Sequence, residues 1–266
     1  MPRRGAKKPD PSLDLSRHLL RLADLPVPCD PAALFPDRPA APLELEVGSG
    51  KGLFLATAAT SRPDHAFLGI EIATGYARLC AARLARAGLT NARMIQGDGG
   101  FLVGSVIPDR RLAAVHVYFP DPWWKARHKK RRVLSAAFLA QVGRVLAPAG
   151  KLHIWTDVEE YFLESLVLAA ATGCFAAPEE EPPGLPAHDL DYRTHFERRT
   201  RLAGAPVWRA ALVRTDSPAP VARIEPPPAT GFVPPATGFV PPATGFVPPA
   251  TGFVPPATGF VPPATG

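Results

Sequence analysis

Short apolar runs alternate with longer amphipathic stretches through the middle of the chain. The runs have the length and aliphatic content of buried strands, and the stretches are long enough for helices of about three to four turns. This pattern predicts five strands, at Leu43–Val47, Ala66–Ile70, Ala92–Gln96, Ala114–Phe119 and Lys151–Thr156. It predicts helices at Lys51–Thr60, Ala73–Ala87, Ser135–Leu146 and Val158–Ala171. Strands that alternate with helices indicate crossover connections, and therefore an α/β fold with a mostly parallel sheet covered on both faces.

The pattern changes toward the C-terminus. A loop rich in proline and glutamate, Pro178–Pro186, precedes two segments, Thr194–Arg201 and Val207–Val213. We predict that these segments form an antiparallel hairpin that closes the sheet. The expected sheet is Rossmann-like, with seven strands. Five parallel units followed by an antiparallel pair resemble the layout of class I methyltransferases, whereas plain nucleotide-binding folds usually lack the hairpin.

Both ends of the chain differ in composition from the middle. Residues 1–12 form a basic segment that we expect to be a flexible tail. From Pro227 onward the heptad P-P-A-T-G-F-V recurs without a charged residue. Two prolines per repeat exclude a helix, so we expect residues 216–266 to be an extended or disordered tail. The predicted folded domain is residues 13–215.

Composition narrows the class of protein only slightly. The net charge of +6 favours a polyanionic partner weakly. Cys29, Cys80 and Cys174 show no C-x-x-C spacing, so the sequence predicts neither a disulfide framework nor a zinc site, as fits a reducing cytoplasm. No apolar run reaches about 18 residues and no apolar segment follows the basic N-terminus, so we expect neither a membrane span nor a secretory signal.

A glycine-rich loop lies between the first predicted strand and the first predicted helix. Gly48, Gly50 and Gly52 allow a tight turn and a close approach of the backbone to a ligand. Glu46 precedes the first of these glycines, and a carboxylate at this point would repel a pyrophosphate. A ligand with positive groups fits better, and S-adenosylmethionine has both an ammonium and a sulfonium. The P-loop pattern is absent.

Two further acids follow the next two predicted strands. Glu71 lies about twenty residues beyond the loop, where an acid commonly binds ribose hydroxyls. Asp98 follows the third strand, where it can accept a hydrogen bond from an adenine amino group. Each acid alone is more often a solvated loop residue. Together with Glu46 they mark the carboxyl edge of the sheet, where open α/β sheets bind ligands.

The fourth predicted strand leads into a stretch of prolines, tryptophans and basic residues. Pro120 and Pro122 stiffen the loop around Asp121, which should project beside the glycine loop. Trp123 and Trp124 offer faces on which a base can stack. Six of the eight residues from Lys125 to Arg132 are lysine or arginine. A basic run is usually a solvated surface, but its position beside aromatic residues and a carboxylate favours contact with a nucleic-acid backbone.

Asp157 ends the fifth predicted strand and should face the same mouth as Asp121. Its structural alternative is the N-cap of the helix that begins at Val158, and the two roles are compatible.

The order of these motifs resembles the tRNA guanine-N7 methyltransferase family. F-P-D-P-W-x-K-x-R-H-x-K-R-R, then T-D, then T-x-F-E follow E-V-G-S-G-K-G, G-I-E and G-D, and the match spans about 43–213. The resemblance implies methyl transfer from S-adenosylmethionine to N7 of a tRNA guanine, guanine 46 of the variable loop, in the cytoplasm. It implies a catalytic Asp121 and cofactor contacts from Glu46, Gly48, Gly50, Gly52, Glu71, Asp98 and Asp121. It implies guanosine contacts from Lys125, Asp157, Thr194, His195, Phe196 and Glu197, and RNA contacts from Arg127, His128, Lys129, Lys130, Arg131 and Arg132. Trp124 departs from the proline or histidine that relatives often carry, and the repeat tail is not a family feature.

Two other functions stay open on the residues alone. D-P-W is similar to the D/N-P-P-Y/F/W motif of enzymes that methylate exocyclic amines, although only one proline separates Asp121 from Trp123 and the basic run is extra. The other is a non-catalytic RNA-binding protein on a methyltransferase fold, which the complete set of acids and the glycine loop disfavour. The sequence gives no sign of an obligate protein partner, and the proposed chemistry requires no metal.

Overall fold

The computed structural model describes residues 12–124, 126–180 and 194–217. Its strands are β1 Leu19–Arg21, β2 Leu43–Val47, β3 Ala66–Glu71, β4 Ala92–Gln96, β5 Leu112–Tyr118, β6 Leu146–Thr156, β7 Glu179–Glu180 and β8 Trp208–Val213. Its helices are α1 Leu53–Ser61, α2 Thr74–Arg86, α3 Gly99–Phe101, α4 Ala136–Val145, α5 Glu159–Ala171 and α6 His195–Leu202. A π-helical turn, Leu102–Val106, continues α3, and short 3₁₀ helices cover Leu22–Asp24, Pro31–Leu34 and Ala126–Arg131.

The strands form one mostly parallel sheet in the order β1-β4-β3-β2-β5-β6-β8-β7. The chain leaves β2 toward β3 and β4 on one side and continues through β5 and β6 on the other. The strand order therefore reverses between β2 and β5, and ligands of open α/β sheets bind in the crevice outside the carboxyl ends at such a point. This topology confirms the predicted class I methyltransferase architecture.

Both faces of the sheet are covered, and the central strand β3 is apolar over almost its whole length. All five residues of β2 are also buried, although Glu44 and Glu46 alternate there with apolar residues. One core packs α1 and α2 against the sheet, with Phe54, Leu55 and Leu84 among its buried members. The other packs α4 and α5 against the opposite face through Leu139 and Tyr161. β3 has therefore lost the polar alternation of half-exposed strands, whereas β2 keeps it and buries both of its acids.

The C-terminal part of the sheet differs from the prediction in detail. Residues 195–202 form α6 and not a strand, so the predicted hairpin arm at Thr194–Arg201 is wrong. β8 lies between two strands and pairs antiparallel with both. One is β6. The other is the two-residue β7, which falls within the predicted Pro/Glu-rich loop. The described residues contain eight strands and not seven, because β1 adds a short parallel edge strand beside β4.

The predicted N-terminal tail and nearly all of the repeat tail lie outside the described residues, so the proposed domain boundaries remain a prediction. Within the described part of the chain, no helix combines the length and apolar character needed to cross a bilayer.

Candidate active site

The glycine loop turns out of β2 in a left-handed backbone conformation. Gly48, Gly50 and Gly52 have φ angles of 81°, 51° and 68°, which only glycine adopts without strain. The amides of Gly48 and Ser49 donate to the carbonyl of Ile70 in β3, at 2.9 and 3.1 Å. A Cβ atom at Gly48 or Gly50 would meet no atom within 4 Å. The loop therefore leaves open space beside its backbone at the edge of the sheet.

Gly52 has a different role, because it closes the loop against α2. A Cβ atom there would lie 2.2 Å from Sγ of Cys80. We expect Gly52→Ala to destabilise the protein by about 3 kcal/mol, from strain and overpacking together. Gly50→Ala is the matched control, which adds only the conformational strain of about 1 kcal/mol. Thermal unfolding measures both, and equal losses would show that the contact with Cys80 is not limiting.

Glu46 is buried at the centre of this edge. Glu46 is only 4% exposed, and its Oε2 atom has no hydrogen-bond partner among the residues that the structure describes. Burial, with a smaller contribution from the negative charge of Glu71, raises the pKa of Glu46 to about 8. A buried acid with an unsatisfied oxygen is costly unless a ligand completes it. The residues present thus fit a cofactor that brings a positive group, and the sulfonium and ammonium of S-adenosylmethionine meet that requirement.

Glu71 and Asp98 flank the same space and are held by backbone amides. The carboxylate of Glu71 accepts from Gly50 N at 3.0 Å and from Ala73 N at 2.9 Å. Asp98 caps α3 by accepting from Phe101 N at 2.9 Å, and it is exposed. These bonds fix both carboxylates at the carboxyl edge of the sheet. Their contacts with ribose and adenine remain a prediction.

The loop after β5 is strained at two non-glycine residues. Phe119 and Trp123 have φ angles of 49° and 43°, and the amide of Phe119 donates to the carbonyl of Trp155 at 2.7 Å. Left-handed backbone at bulky residues persists only where the surrounding structure enforces it, commonly at functional sites. Between these residues lies Asp121, which is exposed at the end of the strand that neighbours β2.

The two tryptophans of this loop have different surroundings. Arg131 lies over the Trp123 ring, with its guanidinium carbon 4.1 Å from the ring centroid, and His128 stacks against Trp123 at 5.8 Å. Trp124 is 66% exposed. Trp124 is therefore the tryptophan of this pair with a broad accessible surface.

Most of the basic run faces outward from the 3₁₀ helix Ala126–Arg131. Arg127, Lys129, Lys130 and Arg131 are exposed, and His128 is half-buried. Lys129 pairs with Glu160 of α5 at 3.0 Å. Lys125 lies outside the described residues. The exposed cations form a charged surface directly beside Asp121.

Arg132 does not belong to that surface, contrary to the expectation that it contacts RNA. It is only 7% exposed. Its guanidinium donates to the carbonyl of Pro122 at 2.7 Å and pairs with Glu164 of α5. These contacts balance the charge of Arg132 and keep its side chain buried. The structure therefore indicates a structural role for Arg132 and not a contact with RNA.

Asp157 is exposed at the carboxyl end of β6. The structural alternative, that it caps the following helix, is wrong: α5 begins at Glu159 with Val158 as its N-cap. The amide of Val158 donates to Oγ1 of Thr156 at 3.2 Å. The position of Asp157 agrees with the predicted substrate contact, which remains a prediction.

The T-x-F-E segment begins α6. The amide of Glu197 donates to Oγ1 of Thr194 at 2.9 Å, which is the backbone bond of a capping box. The Glu197 side chain is buried and pairs with Arg201 at 3.2 Å and Arg209 at 3.5 Å. The side chains of His195 and Phe196 lie outside the described part of the chain. A guanosine contact from Glu197 remains a prediction, and in this structure its carboxylate joins α6 to β8.

A buried polar network beneath the site was not predicted from the sequence. Glu44 of β2 is 3% exposed. It contacts His116 at 2.7 Å, His65 at 2.7 Å and the guanidinium of Arg62, while His116 contacts the hydroxyl of Tyr118 at 2.8 Å. Although burial favours the neutral acid, the hydrogen bonds and charges of His116 and Arg62 lower the pKa of Glu44 to about 2. The available signal was a second glutamate, two residues before Glu46, in an otherwise apolar strand.

Among the described residues, no group of three or more histidine, cysteine, aspartate or glutamate side chains is arranged to hold a metal ion.

Comparison with known proteins identifies the family. The family described as "Putative methyltransferase" matches residues 40–210. The tRNA (guanine-N(7)-)-methyltransferase of Rhodopirellula baltica is 47% identical over 215 residues, which cover 79% of each chain. The enzyme of the same name from Methylococcus capsulatus is 40% identical over 181 residues, 67% of this chain and 77% of that protein. The chain belongs to the tRNA (guanine-N(7)-)-methyltransferase family. This membership confirms the resemblance and the expectation of an enzyme that transfers methyl groups.

Solved structures agree with the fold. A variant of the 16S rRNA (adenine(1408)-N(1))-methyltransferase from Catenulisporales acidiphilia, solved with its cosubstrate SAM, gives a TM-score of 0.51 at 21% identity. The match covers 72% of this chain and 93% of that one. At this identity the likeness supports the class I methyltransferase fold, for which S-adenosylmethionine is the expected methyl donor.

Proposed function

We propose that this protein transfers the methyl group of S-adenosylmethionine to N7 of a guanine in tRNA, and that the guanine is number 46 of the variable loop. The observation that carries the proposal is the arrangement at the reversal of strand order. The buried, unsatisfied carboxylate of Glu46 lies on β2, and the strained loop with Asp121 and its exposed cations follows the adjacent β5. Relatives named tRNA (guanine-N(7)-)-methyltransferase share this chain over most of its length.

The cofactor side of the site is formed by the ends of β2, β3 and β4. Glu46 would face the positive groups, Glu71 the ribose and Asp98 the adenine, beside the open glycine loop. When bound, S-adenosylmethionine supplies an electrophilic methyl group on a sulfonium. The protein's own task is to place the acceptor in line with that methyl, and alignment of this kind can lower a barrier by several kcal/mol.

The acceptor requires no proton transfer. Guanine N7 carries a lone pair in the ring plane, so a general base is unnecessary. Positive charge develops on the purine during transfer, and the exposed carboxylates of Asp121 and Asp157 stabilise it or accept hydrogen bonds from the guanine N1–H and amino group. Asp121 is therefore assigned as the catalytic residue. Glu197 is already paired with Arg201 and Arg209, and its contribution is to hold α6 in place.

Exposed cations provide the nucleic-acid contact. Arg127, Lys129, Lys130 and Arg131 follow Asp121 in the chain. The exposed Lys51 and Arg86 line a depression next to the glycine loop, together with the half-buried Arg83. Phosphate contacts of this kind carry much of the affinity of RNA-binding proteins and make it dependent on salt. A tRNA substrate also supports a cytoplasmic location, and the family match over residues 40–210 supports residues 13–215 as the catalytic domain.

Base stacking gives a prediction for Trp124. A guanine turned out of the tRNA loop needs an aromatic face to offset its loss of stacking. We expect Trp124→Ala to lower kcat/KM for tRNA about tenfold or more, since stacking contributes about 1–3 kcal/mol per base. Trp124→Phe should retain most of the activity. A Trp124→Ala enzyme with unchanged kcat/KM would show that the base stacks elsewhere.

The test of the function is nucleoside mass spectrometry. The protein is incubated with labelled S-adenosylmethionine and unmodified tRNA, and we expect label in 7-methylguanosine. A tRNA with adenine in place of guanine 46 should take up none. Label on an exocyclic amine would favour the amino-methyltransferase alternative, and binding without transfer would favour the non-catalytic one.

A further inference from the structure

Among the basic residues of this run that the structure describes, Arg132 differs from the others in its surroundings. Arg132 is buried, whereas Arg131 beside it is exposed. The guanidinium of Arg132 lies over the ring of Tyr161, 4.6 Å from its centroid. With the Pro122 carbonyl and Glu164, three separate groups hold this side chain in one place.

These contacts join two segments that carry the acids of the site. Pro122 is the residue after Asp121, and Glu164 and Tyr161 belong to α5, which begins two residues after Asp157. The hydroxyl of Tyr161 also accepts from the amide of Leu134 at 3.1 Å, so the chain leaving the basic run is tied to the same helix. We define the clasp as Arg132, Glu164, Tyr161 and the Pro122 carbonyl.

We propose that Arg132 is a positioning residue for methyl transfer, which fixes the Asp121 loop against α5 and does not bind RNA phosphate. The charge of Arg132 is balanced by Glu164, so it adds nothing to the field that attracts tRNA. A fixed loop matters because a displacement of about 1 Å at a reacting group costs on the order of 100-fold in rate. Burial raises the pKa of Tyr161 to about 12, and the charges of Glu164 and Asp121 act in the same direction.

The proposal rests on the proposed function, and α5 offers a matched pair of variants to test it. Glu164→Gln removes the clasp partner of Arg132. Glu160→Gln removes the exposed partner of Lys129, four residues earlier on the same helix. Both variants lose one negative charge, so a purely electrostatic effect on tRNA would be the same in both. We expect kcat to fall about tenfold in Glu164→Gln and to stay unchanged in Glu160→Gln, with KM for tRNA unchanged or lower in both.

The arginines themselves give the complementary comparison. Arg132→Gln should lower kcat at least as much as Glu164→Gln, and the double variant should lose little more than either single one, because both break the same contact. The log–log salt slope of tRNA binding by Arg132→Gln should equal that of the wild type. Arg131→Gln should raise KM and reduce the slope by about one unit. A kcat in Glu164→Gln equal to that in Glu160→Gln overturns the proposal, as does a reduced salt slope in Arg132→Gln.

Amide hydrogen exchange separates failure of the clasp from failure of the proposed function. The segment 119–124 should exchange faster in Glu164→Gln and Arg132→Gln than in Glu160→Gln, whatever the substrate. If the wild type does not methylate tRNA but this difference is present, the clasp stands and the function is wrong. Equal exchange in all variants overturns the clasp even in an active enzyme. If Arg132→Gln does not fold, Glu164→Gln alone decides both measurements.

Discussion

We expect Asp121→Asn to lower kcat by about 100-fold or more while tRNA binding stays nearly unchanged. The substitution preserves the shape of the side chain and removes its charge. Positive charge grows on the purine only as the methyl group moves, so the lost interaction is stronger in the transition state than in the bound substrate. Removing one preorganised electrostatic contact commonly costs about 100- to 1000-fold in kcat. Single-turnover rates at saturating tRNA and cofactor measure the effect, and filter binding measures the affinity.

The control is Asp64→Asn, an exposed aspartate just before β3 at the opposite edge of the sheet. It removes the same charge away from the site and should leave kcat unchanged. A small loss in Asp121→Asn would indicate that Asp121 orients the guanine through hydrogen bonds that an amide can replace. Unchanged kcat with weakened tRNA binding would contradict the catalytic assignment.

The central part of the fold is predictable from the sequence because its signals are local. The ends of β2 and β4 coincide with the predicted boundaries, since each strand is short and is bounded by proline, glycine or polar residues. The acids at the strand ends are predictable for a related reason. In a parallel sheet all carboxyl ends lie at one edge, so a position just after a strand already locates a side chain.

The segment that forms α6 was predicted as a strand, although its sequence carries a local signal for a helix. Thr194 and Glu197 have the spacing of a capping box, which marks the start of a helix. The expectation of a hairpin before β8 favoured a strand instead. The strand that pairs with β8 in place of the predicted arm is β7, which has two residues, too few for any periodic pattern.

The burial and pairing of Arg132 cannot be predicted from the sequence, because they depend on a partner that is distant in the chain. Glu164 lies 32 residues further along the chain, and only the packing of α5 against the loop after β5 brings the two together. In the sequence Arg132 is the last of six similar cations. Burial and pairing distinguish it from Arg131, and both are tertiary properties. The same holds for Glu44, whose partner His116 is 72 residues away.

The second large effect concerns Glu46 and pH. The pKa of this carboxyl is about 8 in the folded protein, against an ordinary value of 4.5. Between these values the folded protein holds a proton that the unfolded chain has lost, so raising the pH favours unfolding. The free energy of unfolding should therefore fall with a slope approaching about 1.4 kcal/mol per pH unit, and this contribution should level off above about pH 8. Glu46→Gln should remove this pH dependence. Chemical denaturation of both proteins from pH 5.5 to 9 measures the difference.

Cofactor affinity should change in the opposite direction over the same range. A positive ligand requires the ionised carboxylate, so the wild-type affinity gains up to about tenfold per pH unit below about pH 8 from this group. The ammonium of the cofactor titrates in the same region, and Glu46→Gln supplies the reference because it keeps that titration and lacks the carboxyl. We expect the ratio of the two affinities to rise by up to about tenfold per pH unit and to level off above about pH 8, as calorimetry can measure. A ratio that differs from one but does not vary with pH would mean that Glu46 is ionised before the ligand binds. If Glu46→Gln bound the cofactor as tightly as the wild type at every pH, Glu46 would not be part of the site.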